Sequence, residues 1–326
     1  MLVRRRTFLA GALATALVPR AVAAQPAARP LRLGILVFSD PGSDPNMRAI
    51  RETLRDLGYV EGQNLFIDYR YAESRPERLK EIALDLVRAK PDVIFALGGD
   101  VAAEAVAATR TIPTVISVSN DPVRSRLVES LSSPGGNVTG VTFLATDLAA
   151  KRLQLLREAA GPLRRVAVIR NPNHVDDEFR EVEAGARALG IQALAVDVPD
   201  MTQLERELQA AGTAWKPDAL IAVSSRQIVQ QRAAIIGFAT KHRLPLAGGW
   251  GLWADTGALL SYGPDIDAMV RRAVGYVDRI AKGARPATLP IEQPTKFELV
   301  LNRKTARALG ITLSEALLAQ ADRVIA

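Results

Sequence analysis

Short runs of Val, Ile and Leu recur along this chain with amphipathic, helix-spaced segments between them. Unbroken apolar runs of this length suit strands covered on both faces, and helical spacers suit the crossovers that join parallel strands. The runs predict strands at 31–38, 65–71, 92–97, 114–118, 138–143, 165–169, 192–198, 219–223, 244–248 and 258–262, with an extended piece at 289–293 leading to 297–301. Helix starts are marked as well. Asp44-Pro45 and Asp121-Pro122 each put a capping acceptor before a proline at the first helical position, and Ser74 with Glu77 has capping-box spacing. Leu79, Ile82, Ala83, Leu86 and Val87 then repeat at helical spacing, giving one face for a sheet. A helix is expected from about Asp265 to Lys282.

About ten strands exceed one doubly wound sheet, so two lobes are the natural division. The turn-rich 132–137 segment is the expected first join. If 262–291 returns to the first lobe, that lobe is 31–138 plus 262–291, and the second is 139–261 plus 292–326. The fold class is therefore α/β, with two lobes built on parallel sheets.

The first 24 residues have a different character. Arg5-Arg6-Thr7-Phe8-Leu9, an apolar stretch to Val18 and small residues around Ala24 have the layout of a twin-arginine export leader. Pro19 and Arg20 cut the apolar run well short of the roughly 20 residues that span a bilayer. A leader cleaved after about Ala24 is expected, giving a protein outside the cytoplasm.

Charge changes the picture little. The whole chain carries +7, but residues 1–24 hold four arginines and no acid, which leaves 38 basic against 35 acidic side chains. The cations are scattered among acids and aromatics are 5% of residues, so no nucleic-acid footprint is present. There is no cysteine, which removes disulfides, thiol nucleophiles and cysteine metal sites.

Catalytic patterns are scarce. His174 and His242 are the only histidines, neither has a metal-ligand partner at suitable spacing, and both are expected at the surface. Gly249-Trp250-Gly251-Leu252-Trp253-Ala254 fits a relaxed dinucleotide glycine pattern, but a tryptophan in the tight turn would crowd a pyrophosphate. No nucleophile elbow or phosphate loop occurs. No cofactor, metal or catalytic residue is expected.

Polar and glycine residues instead gather just past the expected strand ends: Ser39-Asp40, Gly98-Gly99-Asp100, Ser119-Asn120-Asp121, Asn171-Pro172-Asn173 and Ser224-Ser225-Arg226. Ligands of open parallel sheets bind there, where helix N-termini offer free N–H groups. Each loop also has a local alternative. Asp121 either caps a helix or meets a ligand, Asp40 either serves the turn before Pro41 or faces the cleft, and Arg226 either points to water or into it. Phe143, Trp250 and Trp253 are either core or pocket wall.

Four stretches resemble a known family: Leu57-Gly58-Tyr59-Val60-Glu61-Gly62-Gln63-Asn64, Pro134-Gly135-Gly136-Asn137-Val138-Thr139-Gly140-Val141, Leu260-Ser261-Tyr262-Gly263 and Gln293-Pro294-Thr295-Lys296-Phe297-Glu298-Leu299-Val300. They are similar to bacterial ABC-transporter solute-binding proteins of the group with tryptophan- and tyrosine-binding members. The resemblance runs from about residue 31 to the end. It implies a type I periplasmic-binding fold of two Rossmann-like lobes with three hinge crossings, a small-molecule ligand between the lobes and an ABC permease as partner. The membrane is then met only through the permease, and a monomer is expected. The implied ligand-binding set is Ser39, Asp40, Gly99, Asp100, Asn120 and Asp121 from the first lobe, with Phe143, Asn171, Ser225, Arg226 and Trp250 from the second. Gly99-Asp100 stands where relatives often carry threonine or alanine and then proline, and Gly251-Leu252 where they carry charged residues. A periplasmic sensor subunit and an exported two-lobed enzyme are the rival readings.

Overall fold

The structure, a computed structural model, describes residues 29–174 and 177–326; the leader expected at 1–24 lies outside the described residues. The first sheet holds β1 (Leu31–Val37), β2 (Leu65–Tyr71), β3 (Val93–Leu97), β4 (Thr114–Val118) and β5 (Val138–Thr142). All pair in parallel, in the order β2-β1-β3-β4-β5. Strands β3, β4 and β5 are buried at every position, which is why they read as continuous apolar runs and not as alternating ones.

Helices α1 (Met47–Asp56), α2 (Leu79–Arg88) and α3 (Gly99–Ala108) connect these strands. Leu79, Ile82, Ala83 and Leu86 of α2 are buried against the sheet, as their spacing predicts. The start signals fared less well. Helix α1 begins at Met47 instead of Pro45, because Asp44 turns inward and accepts the Asn46 N–H at 2.9 Å. Ser74 does not cap α2 but donates its hydroxyl to Asp40, and a short 3-10 turn, Pro76–Arg78, leads into that helix. After Asp121-Pro122 the chain forms successive turns and no helix.

The second sheet contains β6 (Arg165–Arg170), β7 (Gln192–Asp197), β8 (Ala219–Ala222), β9 (Leu246–Gly248), β10 (Leu260–Gly263), β11 (Glu298–Asn302) and β12 (Arg323–Ile325). Its order is β12-β11-β10-β9-β8-β6-β7, parallel except where β11 runs against β10. The sequence pattern did not predict β12, a three-residue strand that is only partly buried. Around this sheet lie α4 (Ala145–Ala160), α5 (Glu178–Leu189), α6 (Leu204–Ala214), α7 (Arg226–Gln230), α8 (Arg232–Lys241), α9 (Leu252–Thr256), α11 (Arg303–Leu309) and α12 (Glu315–Gln320).

Helix α10 (Ile266–Ala281) follows β10 yet packs in the first lobe, where Met269, Val270, Val274 and Val277 join the core beneath β3, β4 and β5. Its N-cap is Asp265, which accepts the Ala268 N–H. The chain therefore passes between lobes after Thr142, after Gly263 and after Glu292. Residues 139–142, given to the second lobe by the sequence division, belong to β5 and pair with β4. Tyr262 and Gly263, given to the first lobe, end β10 of the second sheet. Glu292 bridges to Val141 and exchanges backbone hydrogen bonds with Gly140 and Thr142, which holds the third passage beside the first. Leu144, the first residue after Phe143, sits in the left-handed region at φ 55°, so the turn out of the first lobe is sharp.

Candidate functional site

The carboxyl ends of β3, β4, β8, β9 and β10 converge on one cavity of about 440 Å3 between the lobes. In open α/β sheets these ends are where helix N-termini and strand-end loops leave polar groups available. Gly98 and Gly99 line it from the first lobe, with Ser119 beyond β4 and Asn46 from the β1 loop. Gly98 has φ 110° and ψ 153°, a conformation open in practice only to glycine, and it turns the backbone so that the first turn of α3 faces the cavity. That turn has no side-chain cap, so its first N–H groups are available.

Ser224, Arg226, Val229 and Trp250 line the opposite side, and Phe143 stands where the chain first crosses. Phe143 and Trp250 meet edge to face, with centroids 6.1 Å apart and planes at 76°. Trp250 packs against the cores of both lobes, so its ring is a wall shared between them. Trp253, by contrast, is fully buried core.

Arg226 is held by the far lobe. Its Nη1 lies 3.2 Å from Asp44 Oδ2, and the Asn46 amide, with its oxygen turned to the guanidinium, accepts from Nη1 and Nη2 at 3.1 and 3.2 Å. Asp44 is itself fixed by the Ser39 hydroxyl at 3.0 Å. Two more contacts join the lobes: His174 Nδ1 lies 2.9 Å from Asp100 Oδ1, and Arg124 pairs with Asp177 at 3.0 Å. The conformation is thus a closed one. At the open side, Arg48 pairs with Asp267, and Arg323 makes a two-point pair with Asp255.

Of the expected site residues, the fold brings Gly99, Phe143, Arg226 and Trp250 to the cavity wall. The other seven stand elsewhere. Ser39 is buried behind Asp44, and Asp40 is exposed and accepts from Ser74. Asp100 engages His174, so that histidine is buried in a contact between lobes instead of at the surface. Asn120 is buried and donates to Ser125, while Asp121 accepts the Val123 and Arg124 N–H groups as a turn cap. Asn171 accepts the Asn173 N–H and donates to Gln227, and Ser225 caps α7 by accepting from Ile228. His242 is exposed and its ring lies tilted against Phe238, with centroids 4.3 Å apart.

Sequence reasoning does not single out Asn46 or the Arg323–Asp255 pair. Ser224 stands in a named strand-end loop but outside the expected binding set, and Asp44 reads only as a helix cap, because nothing local shows that they face inward. Among the described residues no group of three potential metal ligands gathers. The cavity offers an apolar aromatic wall, the Arg226 guanidinium, backbone donors and, at its open side, the Arg48–Asp267 and Arg323–Asp255 pairs, which is equipment for holding a small molecule.

A family model for ABC transporter substrate-binding proteins matches residues 33–325. The chain belongs to that family. Among curated relatives, a tyrosine-binding protein of Clostridioides difficile (strain R20291) is 26% identical over 272 residues, covering 83% of this chain and 78% of the relative. Among solved structures, a conserved domain protein from Vibrio cholerae is 27% identical with a TM-score of 0.84, covering 91% of this chain and all of the other. An ABC domain from Streptococcus pneumonia in complex with L-Trp superposes with a TM-score of 0.83 at 23% identity over the same shares. This substrate-binding protein therefore has the two-lobed α/β architecture of type I periplasmic-binding proteins, in a family that acts outside the cytoplasm by binding small ligands.

Proposed function

We propose that this protein captures a small organic molecule between its lobes, an amino acid or another compound with a planar apolar part, and delivers it to an ABC permease. The observation that carries this reading is the 440 Å3 cavity, walled by Phe143 and Trp250 and bordered by Arg226 and the open first turn of α3. Its size lies within the range of small-molecule pockets. A planar group stacks on the Trp250 face, and an anionic or acceptor group meets Arg226 or the α3 N–H groups. The tyrosine-binding relative and the tryptophan-bound neighbour make L-tyrosine and L-tryptophan the first probes.

The ligand favours the closed state because it touches both lobes there, and only one when they part. The three passages near Thr142, Gly263 and Glu292 are the hinges of that motion. The protein works as an exported monomer after loss of the leader at 1–24, and N-terminal sequencing of periplasmic material would read Gln25 as the first residue. Titration calorimetry with the two amino acids, and mass spectrometry of what co-purifies, identify the ligand. Small-angle scattering with that ligand bound and removed then shows compaction on binding; identical profiles would overturn the hinged receptor.

A further inference from the structure

Behind the cavity lies an ion pair that the binding site itself does not use. Arg152 of α4 and Glu178 of α5 are 0% and 1% exposed, with Nη1 and Oε2 2.5 Å apart. A fully buried pair is a poor source of net stability, since desolvation cancels much of the attraction, so its placement has to be explained by what else it holds. Here both groups also bind cleft-facing backbone of the second lobe, and Glu178 its Ser224 side chain.

Arg152 Nε donates to the Tyr262 carbonyl at 3.0 Å, one residue before the chain leaves the second sheet. Its Nη2 donates to the Ala145 carbonyl at 3.1 Å, just after the chain enters that lobe, and the Ala145 N–H reaches back to the Ser119 carbonyl on the cavity's other side at 3.1 Å. Glu178 Oε1 accepts the Ser224 N–H at 2.8 Å, and the Ser224 hydroxyl lies 3.2 Å from Oε2. Gly249, next to Trp250, covers the group so closely that a Cβ there would fall 2.5 Å from Ser224 Oγ and 3.5 Å from the guanidinium carbon.

We infer that Arg152 and Glu178 are positioning residues that lock two hinge exits and the Ser224 and Trp250 walls into one rigid unit. This rests on the receptor reading above for its effect on binding, but not for its effect on the backbone. When the lobes part, the unit moves as a body: the two carbonyls bonded to Arg152 and the amide bonded to Glu178 keep their partners, and bending in the first two passages is confined to the residues outside them, Phe143–Leu144 and Pro264–Asp265. Neither side chain lines the cavity.

Native-state hydrogen exchange on Arg152→Met, Arg152→Lys and Glu178→Gln tests this, with L-tyrosine and L-tryptophan as binding probes. The Ser224 amide, bonded to Glu178, is expected to exchange at least tenfold faster in Arg152→Met and Glu178→Gln, while Val168 and Ile221 in the sheet interior keep their protection. Arg152→Lys restores part of the difference, because an ammonium can still reach Glu178. Affinity for whichever amino acid binds the parent protein falls tenfold or more in Arg152→Met. Uniformly faster exchange through the second lobe would show a general stability role and overturn the inference, as would unchanged exchange at Ser224. If Arg152→Met does not fold, the near-isosteric Glu178→Gln decides by the same amide. Failure of the parent protein to bind either amino acid counts against those ligands alone and leaves the exchange result standing.

Discussion

Asp44 and Arg226 are 182 residues apart in sequence, yet Asp44 Oδ2 and Arg226 Nη1 are 3.2 Å apart across the cleft. The carboxylate is 1% exposed and the guanidinium 14%. If the lobes part as proposed, both groups are solvated and the pair then contributes to the free-energy difference between closed and open forms.

Removing one partner should therefore act on closure more than on folding. Arg226→Ala leaves the Asp44 carboxylate buried without its cation, a cost of about 2–5 kcal/mol against the closed form. Ligand affinity should fall accordingly, with little change in the melting temperature of the ligand-free protein. In a double-mutant cycle, Asp44→Ala with Arg226→Ala should lose less affinity than the two single changes added together, measured by calorimetry.

The two neighbouring tryptophans should respond differently. Trp250→Ala removes an aromatic wall, weakening binding by about 1–3 kcal/mol. Because the ring also touches both cores, a modest fall in melting temperature accompanies it. Trp253 is wholly enclosed, and Trp253→Ala opens a core cavity costing about 3–5 kcal/mol of stability. Thermal melts beside calorimetry separate the two; equal melting losses would place Trp250 in the core.

Asp121 accepts two backbone N–H groups in the turn after β4 and does not line the cavity. Asp121→Ala should cost about 1 kcal/mol of stability and leave affinity unchanged, while Asp121→Asn keeps the accepting oxygen and most of the stability. A large affinity loss in Asp121→Asn would instead make this carboxylate a ligand contact.

Tyr276 of α10 secures the third passage, its single hydroxyl proton shared between the Pro290 carbonyl at 2.7 Å and the Glu292 carboxylate at 2.9 Å. Burial, reinforced by the Glu292 carboxylate, raises its pKa well above the ordinary 10.0. A raised value in the folded state means that its contribution is complete below pH 10 and is lost as pH rises further, when the unfolded tyrosine ionises first. Urea unfolding between pH 8 and 11 should show the parent protein losing stability above pH 10 more steeply than Tyr276→Phe. At pH 8 the variant is less stable by about 1–2 kcal/mol.

The strands and the cleft's general address were legible from sequence because both arise locally. A run such as Val93–Leu97 is apolar throughout since helices cover both faces of its sheet, and a glycine pair after it lets a helix N-terminus approach a ligand. Gly99, Phe143, Arg226 and Trp250 came to the cavity for that reason. What the loops do individually was not legible. Ser39, Asn171 and Ser225 have the same residue types as the cavity wall, but their side chains are taken by partners inside their own lobe.

The pattern of this chain alone determined an α/β fold with two parallel-rich sheets, since strand type and crossover follow from apolar runs and helical spacing over a few residues. Only the tertiary structure decided that β5 closes the first sheet, and that His174 is buried against Asp100. It also brought Asp44 to Arg226 and Arg152 to the carbonyls of Ala145 and Tyr262. Those contacts join groups distant in sequence, and their existence depends on how two separately formed sheets are set against each other. An isolated charge or histidine carries no local mark of the partner it will find, because the desolvation that makes the pairing matter exists only once the lobes have closed around it.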